Sequence, residues 1–173
     1  MGDMGWFEGQ RAFLLDGVIV EQGPMDPPHA TVLGLVQQAM QSIFASGWWV
    51  RSQSPLHIDD YNDPLPDIAV VTGSPRDYAG VHPTTAALVI EVADSTLATD
   101  LTEKAERYAT AKVAEYWVVD IQGRQLYVLR DPRDLAAGLD ASAYGSQAVF
   151  AAAARVSPLC APQASVAVAD LLV

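Results

Sequence analysis

Three charged side chains stand in apolar surroundings: Asp67 in "LPDIAVV", Glu91 in "ALVIEV" and Lys104 in "DLTEKAERYATAK". Glu91 is the sharpest case. An ionised carboxylate is costly to bury without a partner. Alternation along a strand puts Glu91 on one face with Val89 and Ala93, opposite Leu88, Ile90 and Val92. A strand apolar on both faces is usually a central one covered by helices. Glu91 is therefore either a structural carboxylate paired with an arginine or a backbone group, or a ligand or acid/base. The functional reading is favoured because perturbed carboxylates gather at sites.

Taken alone, Pro66-Asp67 is an ordinary turn or strand-entry signal. Lys104 borders the inward stripe formed by Leu101, Ala105, Tyr108 and Ala111, where a lysine snorkels to water. Together the three say more. Two carboxylates on neighbouring strands, with a lysine on the helix that follows the second strand, can converge on one point. Paired carboxylates bind a hard cation such as Mg²⁺ through oxygen. Such a cation lowers the pKa of a bound water and polarises a phosphate oxygen, and a lysine offsets the charge that develops at phosphorus. That is the logic of metal-assisted phosphodiester hydrolysis. Asp100 and Asp120 read as a cap and a strand-end turn, and Tyr108 as packing between helix and sheet.

The elements that must position these residues follow from periodicity. "AFLLDGVIVEQ" reads as two short strands around Asp16-Gly17, a hairpin signal. "GPMDPPH" is a breaker, and a helix is expected over 29–46. "WWVRSQSPLHI" reads as a strand, "DDYNDPLPD" as a loop and "DIAVV" as a buried strand. "TGSPRDYAGVHPTT" is a loop with a short helical turn. "ALVIEV", a helix over 97–112, "AEYWVVDI" and "RQLYVLRD" follow, so strand, helix and strand form a parallel crossover unit. Beyond Asp131 the pattern weakens, and "VAVADLLV" ends the chain as a short helix or strand. The expected fold class is α/β: a single domain over 1–173 with a central mixed β-sheet flanked by α-helices.

Composition limits the alternatives. The chain has 173 residues, half of them hydrophobic, and a net charge of −11. That charge argues against non-specific coating of nucleic acid, which rests on Lys and Arg. One cysteine, Cys160, allows no internal disulfide. There is no phosphate loop, GxGxxG, HExxH or GxSxG motif, and the three histidines lie far apart in sequence. No apolar run reaches the roughly 20 residues of a membrane span. With no signal-peptide pattern at the N-terminus, a cytoplasmic protein is expected. Trp48 and Trp49, read as exposed, fit a homodimer.

"LPDIAVV", "LVIEVADST" and "DLTEKAERYATAKVAEYWVVD" resemble the Uma-type family of restriction-endonuclease-like proteins, within the PD-(D/E)XK nuclease superfamily. The matching positions are Pro66-Asp67, Glu91-Val92, Ser95-Thr96, Asp100, Lys104, Tyr108, Glu115-Tyr116-Trp117 and Asp120. The opening "LLDGVIVEQGPMDPPH" and the tail "SPLCAPQASVAVADLL" also resemble the family. The resemblance implies a DNA endonuclease using Mg²⁺ or Mn²⁺. Asp67 and Glu91 would be metal ligands, with the Val92 carbonyl as a third. Lys104 would replace the lysine that the simplest motif puts at Ala93, and His29 and Glu21 would be accessory. Phe13 stands where family members often carry Glu, and Lys112 where a Gly is usual. Arg107, Lys112, Arg124, Arg130 and Arg133 are the candidate DNA contacts. The alternative is a non-catalytic member acting as a binding or assembly protein, with Glu91 and Lys104 as a buried ion pair.

Overall fold

The computed structural model describes residues 12–21, 23–136 and 141–173. The chain opens with a hairpin of β1 (Ala12–Leu15) and β2 (Val18–Glu21). Asp16 and Gly17 both have positive φ, 49° and 74°, as a two-residue turn of this type requires. The hairpin forms its own sheet. It is tied to the loop over 59–67 by Gly17 N–H donating to the Tyr61 carbonyl at 3.0 Å and Asp63 N–H to the Leu14 carbonyl at 2.9 Å.

Helix α1 spans Pro27–Ile43, so it begins inside the segment read as a breaker. Asp26 caps it by accepting from His29 N–H at 2.9 Å. A proline is tolerated in the first turn because its missing N–H has no intrahelical partner there. Strand β3 (Trp48–Ser52) is shorter than expected: Gln53 takes a φ of 45° and the chain leaves the sheet. Strand β4 (Ile68–Thr72) and a 3₁₀ turn at Pro75–Tyr78 follow.

Strand β5 (Leu88–Ala93) leads into one helical run built from three pieces. These are α2 (Leu97–Thr99), a π turn (Asp100–Lys104) and α3 (Ala105–Thr110). The π turn was not expected, and such widened turns recur at functional sites. After α3, Lys112 has a φ of 56°. That left-handed position after a helix favours glycine.

Strands β6 (Glu115–Asp120), β7 (Gln125–Asp134) and β8 (Ser142–Ala151) complete a six-stranded sheet of order β3-β4-β5-β6-β7-β8. Only β5 and β6 run parallel; the other neighbours are antiparallel. The mixed sheet and the crossover helix match expectation. Strand β8 had no clear sequence signal because it is an edge strand with most side chains in solvent. A pair of short strands, β9 (Arg155–Val156) and β10 (Val166–Ala167), and a 3₁₀ turn at Val168–Leu171 close the chain.

Two core layers flank the sheet. Val32, Val36 and Met40 of α1 pack with Leu88, Ile90 and Val92 of β5, and with Val166, Val168 and Leu171. Ala105 and Tyr108 pack with Val89 and Ala93, and with Tyr116 and Val118 of β6. Glu91 thus faces the α2–α3 side. Trp48 packs on the first layer and Trp49 on the second. Trp48 also meets Phe44 edge-on at 5.5 Å, while Arg51 lies 4.9 Å over Trp49. The two tryptophans are part-buried within the chain, not exposed as expected for a dimer face, because Phe44 covers Trp48 on one face of the sheet and Arg51 and Tyr78 cover Trp49 on the other.

Candidate functional site

The ladder between β4 and β5 ends at the Ile68–Ile90 pair, so Val92 N–H lies beyond the last rung. Asp67 takes that rung's place: its Oδ2 accepts from Val92 N–H at 2.9 Å. The Ala93 carbonyl accepts from Ile121 N–H at 3.0 Å, beyond β6. Alternation therefore turns Val92's N–H and carbonyl the other way, toward Asp67. Asp67 Oδ1 lies 3.3 Å from His29 Nε2 and 3.5 Å from Gln53 Nε2. A helix-start histidine thus reaches the mouth of β4.

Glu91 is nearly fully buried, its side chain 3% exposed. Oε1 accepts from the Tyr108 hydroxyl at 2.6 Å, and Oε2 lies 3.2 Å from Lys104 Nζ. Lys104 Nζ is nearer still to Asp100 Oδ1, at 2.7 Å. Asp100 Oδ2 accepts from Thr96 Oγ1 at 2.6 Å, and the Asp100 carbonyl from the Tyr116 hydroxyl at 2.9 Å. The structure brings Asp67, Glu91, Lys104 and His29 to one cavity of about 480 Å³. Phe13, Val20, Met25 and Leu65 line the same cavity. The side chain of Glu21 lies outside the described residues.

Asp100 and Tyr108 belong to this cluster and were undervalued from sequence. Asp100 is buried and holds Lys104 instead of serving as a cap. The spacing 100, 104, 108 puts all three on one helical face, and that was the available signal. Asp120 does make a strand-end turn, accepting from Gly123 N–H at 2.8 Å.

Electrostatics follow from one ammonium among three buried carboxyls. Burial pushes Glu91 up to about 8, with Asp67 and Asp100 adding to the rise and Lys104 and Tyr108 opposing it. Burial would lower Lys104, but the charges of Glu91 and Asp100 prevail and raise it. The two directions agree physically: Lys104 stays charged, and its closer contact to Asp100 leaves Glu91 incompletely compensated. Burial would raise Asp67, yet hydrogen bonds from His29 and Val92 N–H hold it below the usual carboxylate range. His29 is raised, chiefly by its hydrogen bond to Asp67.

The cluster is short of positive charge, and its oxygen donors suit a hard divalent cation. Among the described residues no three His, Cys, Asp or Glu side chains meet in a metal-holding group. The oxygen donors in question are two carboxyls and one main-chain carbonyl.

Of the five basic candidates only Arg107 lines the cavity. It is paired with Asp16 at 2.5 Å. Arg130 is consumed by buried Glu115 at 2.6 Å. Lys112 pairs with Asp134, Arg133 with Asp131, and Arg124 with the Val173 carbonyl. Glu115, buried beneath Arg130, also accepts from Trp117 Nε1 at 2.9 Å and Leu159 N–H at 2.7 Å, a structural role.

A mixed sheet with Asp67 at the entry to β4 and Glu91 within the adjacent antiparallel strand β5 defines an α/β fold with paired carboxyls. Residues 6–169 match the model of the Uma2 family, described as "Putative restriction endonuclease", and the chain belongs to that family. Membership points to a nuclease-like function. One similar solved structure is a "putative nuclease belonging to DUF820" from Anabaena variabilis ATCC 29413. It has 15% identity and a TM-score of 0.66, covering 92% of this chain and 88% of that one, and so shares the fold. No curated protein matches the chain. Among the described residues no helix is long and apolar enough to cross a membrane.

Proposed function

We propose that residues 1–173 form one nuclease domain that hydrolyses phosphodiester bonds of DNA with Mg²⁺ or Mn²⁺. The observation that carries this reading is the meeting of buried Asp67 and Glu91 with Lys104 in one cavity. Asp67, Glu91 and the Val92 carbonyl would hold the cation. When bound, it would polarise the phosphate and acidify a water. Lys104, kept charged and aimed by Asp100, offsets negative charge on the non-bridging phosphate oxygens. Tyr108 fixes the Glu91 carboxyl, and His29 fixes Asp67. In the reaction, the water oxygen bonds to phosphorus as the water gives up a proton to solvent, the bond from phosphorus to a deoxyribose oxygen breaks, and that oxygen leaves as a hydroxyl after taking a proton from solvent.

The test is incubation with plasmid and single-stranded DNA in Mn²⁺, Mg²⁺ or EDTA. Glu91→Gln and Lys104→Ala are run alongside. Cation-dependent cleavage lost in both variants supports the proposal. Absence of both cleavage and cation binding favours a second reading, a non-catalytic binding or assembly protein. One observation favours that second reading: both Glu91 oxygens already have partners within the chain. A buried ion pair adds little stability by itself, so it would have to serve specificity.

A further inference from the structure

We infer that the strand entering this cavity is unpaired nucleic acid, with a base laid against Phe13. The inference rests on the nuclease reading and narrows its substrate. Phe13 and Val20 are directly paired across the β1–β2 hairpin, so they share one face, and both line the cavity that holds Glu91 and Lys104. Met25, Pro64 and Leu65 continue that apolar lining. The hairpin is anchored in this position through Tyr61, Asp63 and the Asp16–Arg107 pair.

Two further observations disfavour a duplex. The carboxyl side chains of Asp67 and Glu91 are only 5% and 3% exposed, so a reacting phosphate must come into the cavity. A cavity of about 480 Å³ has the size of a small-ligand site. Duplex binding also draws on a run of Lys and Arg facing phosphates. Here the cavity's lysine and arginine among the described residues are Lys104 and Arg107, and both already face carboxylates. The chain as a whole carries a net charge of −11. Affinity must then come largely from contacts that salt does not screen. Stacking of a base on an aromatic ring is one such contact and is indifferent to sequence. Phe13 supplies the ring at the wall of this cavity.

The test uses the full chain, Mn²⁺, and a fluorescent 12-mer presented single-stranded or annealed to its complement. The expected result is kcat/KM at least about tenfold higher for the single strand. Cleavage should change less than about threefold between roughly 50 and 200 mM salt. Phe13→Ala should raise KM for the single strand about tenfold with kcat within about threefold, and Phe13→Trp should restore KM. Duplex cleaved as fast as single strand, or an unchanged KM in Phe13→Ala, overturns the inference while leaving the nuclease reading intact. Cleavage of neither substrate overturns both.

Discussion

Tyr108 donates its hydroxyl to Glu91 Oε1 at 2.6 Å, and both side chains are buried. The helix face opposite β5 thereby fixes the one acidic residue of an otherwise apolar strand. Tyr108→Phe leaves that oxygen without a partner inside the core. We expect a stability loss of about 1–3 kcal/mol, seen as a Tm lower by roughly 2–10 °C for a chain of this size. An unchanged melting curve would show that the hydroxyl contributes nothing to holding Glu91.

Glu91 is raised from 4.5 to about 8, mainly by burial. The sign follows from linkage. The native state holds this proton more tightly than the unfolded chain, so the group's stabilising contribution is complete below about 4.5. It is lost as pH rises through about 8. In metal-free protein Glu91→Gln should therefore raise Tm at pH 9 relative to wild type, by an amount on the order of a few kcal/mol in stability. At pH 5 the two should melt alike. Thermal melts in EDTA at both pH values test this, and equal differences at the two pH values would contradict it.

Cation binding should show the opposite slope. A carboxyl must lose its proton to bind a metal, so Mn²⁺ affinity should rise about tenfold per pH unit up to about 8 and then level. Titration calorimetry between pH 6 and 9 would measure it, together with the proton released.

Asp100 lies 2.7 Å from Lys104 Nζ and is out of solvent. In Asp100→Asn, Lys104 loses the charge that aims it. We expect kcat for DNA cleavage to fall roughly 10- to 100-fold with Mn²⁺ affinity within about threefold. Equal losses in cation affinity and turnover would assign Asp100 to the cation rather than to the lysine.

His29 is raised above 6.5, first by its hydrogen bond to Asp67. Its contribution to stability is therefore complete below 6.5 and is lost as pH rises through the native value. The imidazole titration followed by NMR should have its midpoint above 6.5, and Asp67→Asn should bring it down. A midpoint indifferent to Asp67→Asn would deny the contact at 3.3 Å.

Much of the site was legible because strand geometry is local. The two-residue period alone put Glu91 with Val89 and Ala93, and those residues do share one core layer with Tyr108. The hairpin at Asp16-Gly17 was readable because few other residues accept two positive φ values in a row. Strand β8 was not readable, since an exposed edge leaves no hydrophobic alternation. The start of α1 was missed because prolines were taken as breakers, although the first helical turn has no use for their N–H.

The sequence by itself determined the order of strands and helices as far as β7, the face on which Glu91 lies and the family to which the chain is similar. These depend on periodicity and on short runs of residue types. The tertiary structure decided which charges meet. Lys104 shares its ammonium between Asp100 and Glu91, and Arg107, Lys112, Arg130 and Arg133 are taken up by carboxylates, three of them distant in sequence from their partners. Phe13 reaches the same cavity from a separate two-stranded sheet. Such pairings are set by distances of a few ångströms between elements, because Coulomb and hydrogen-bond energies fall off over that range. No pattern along the chain encodes those distances.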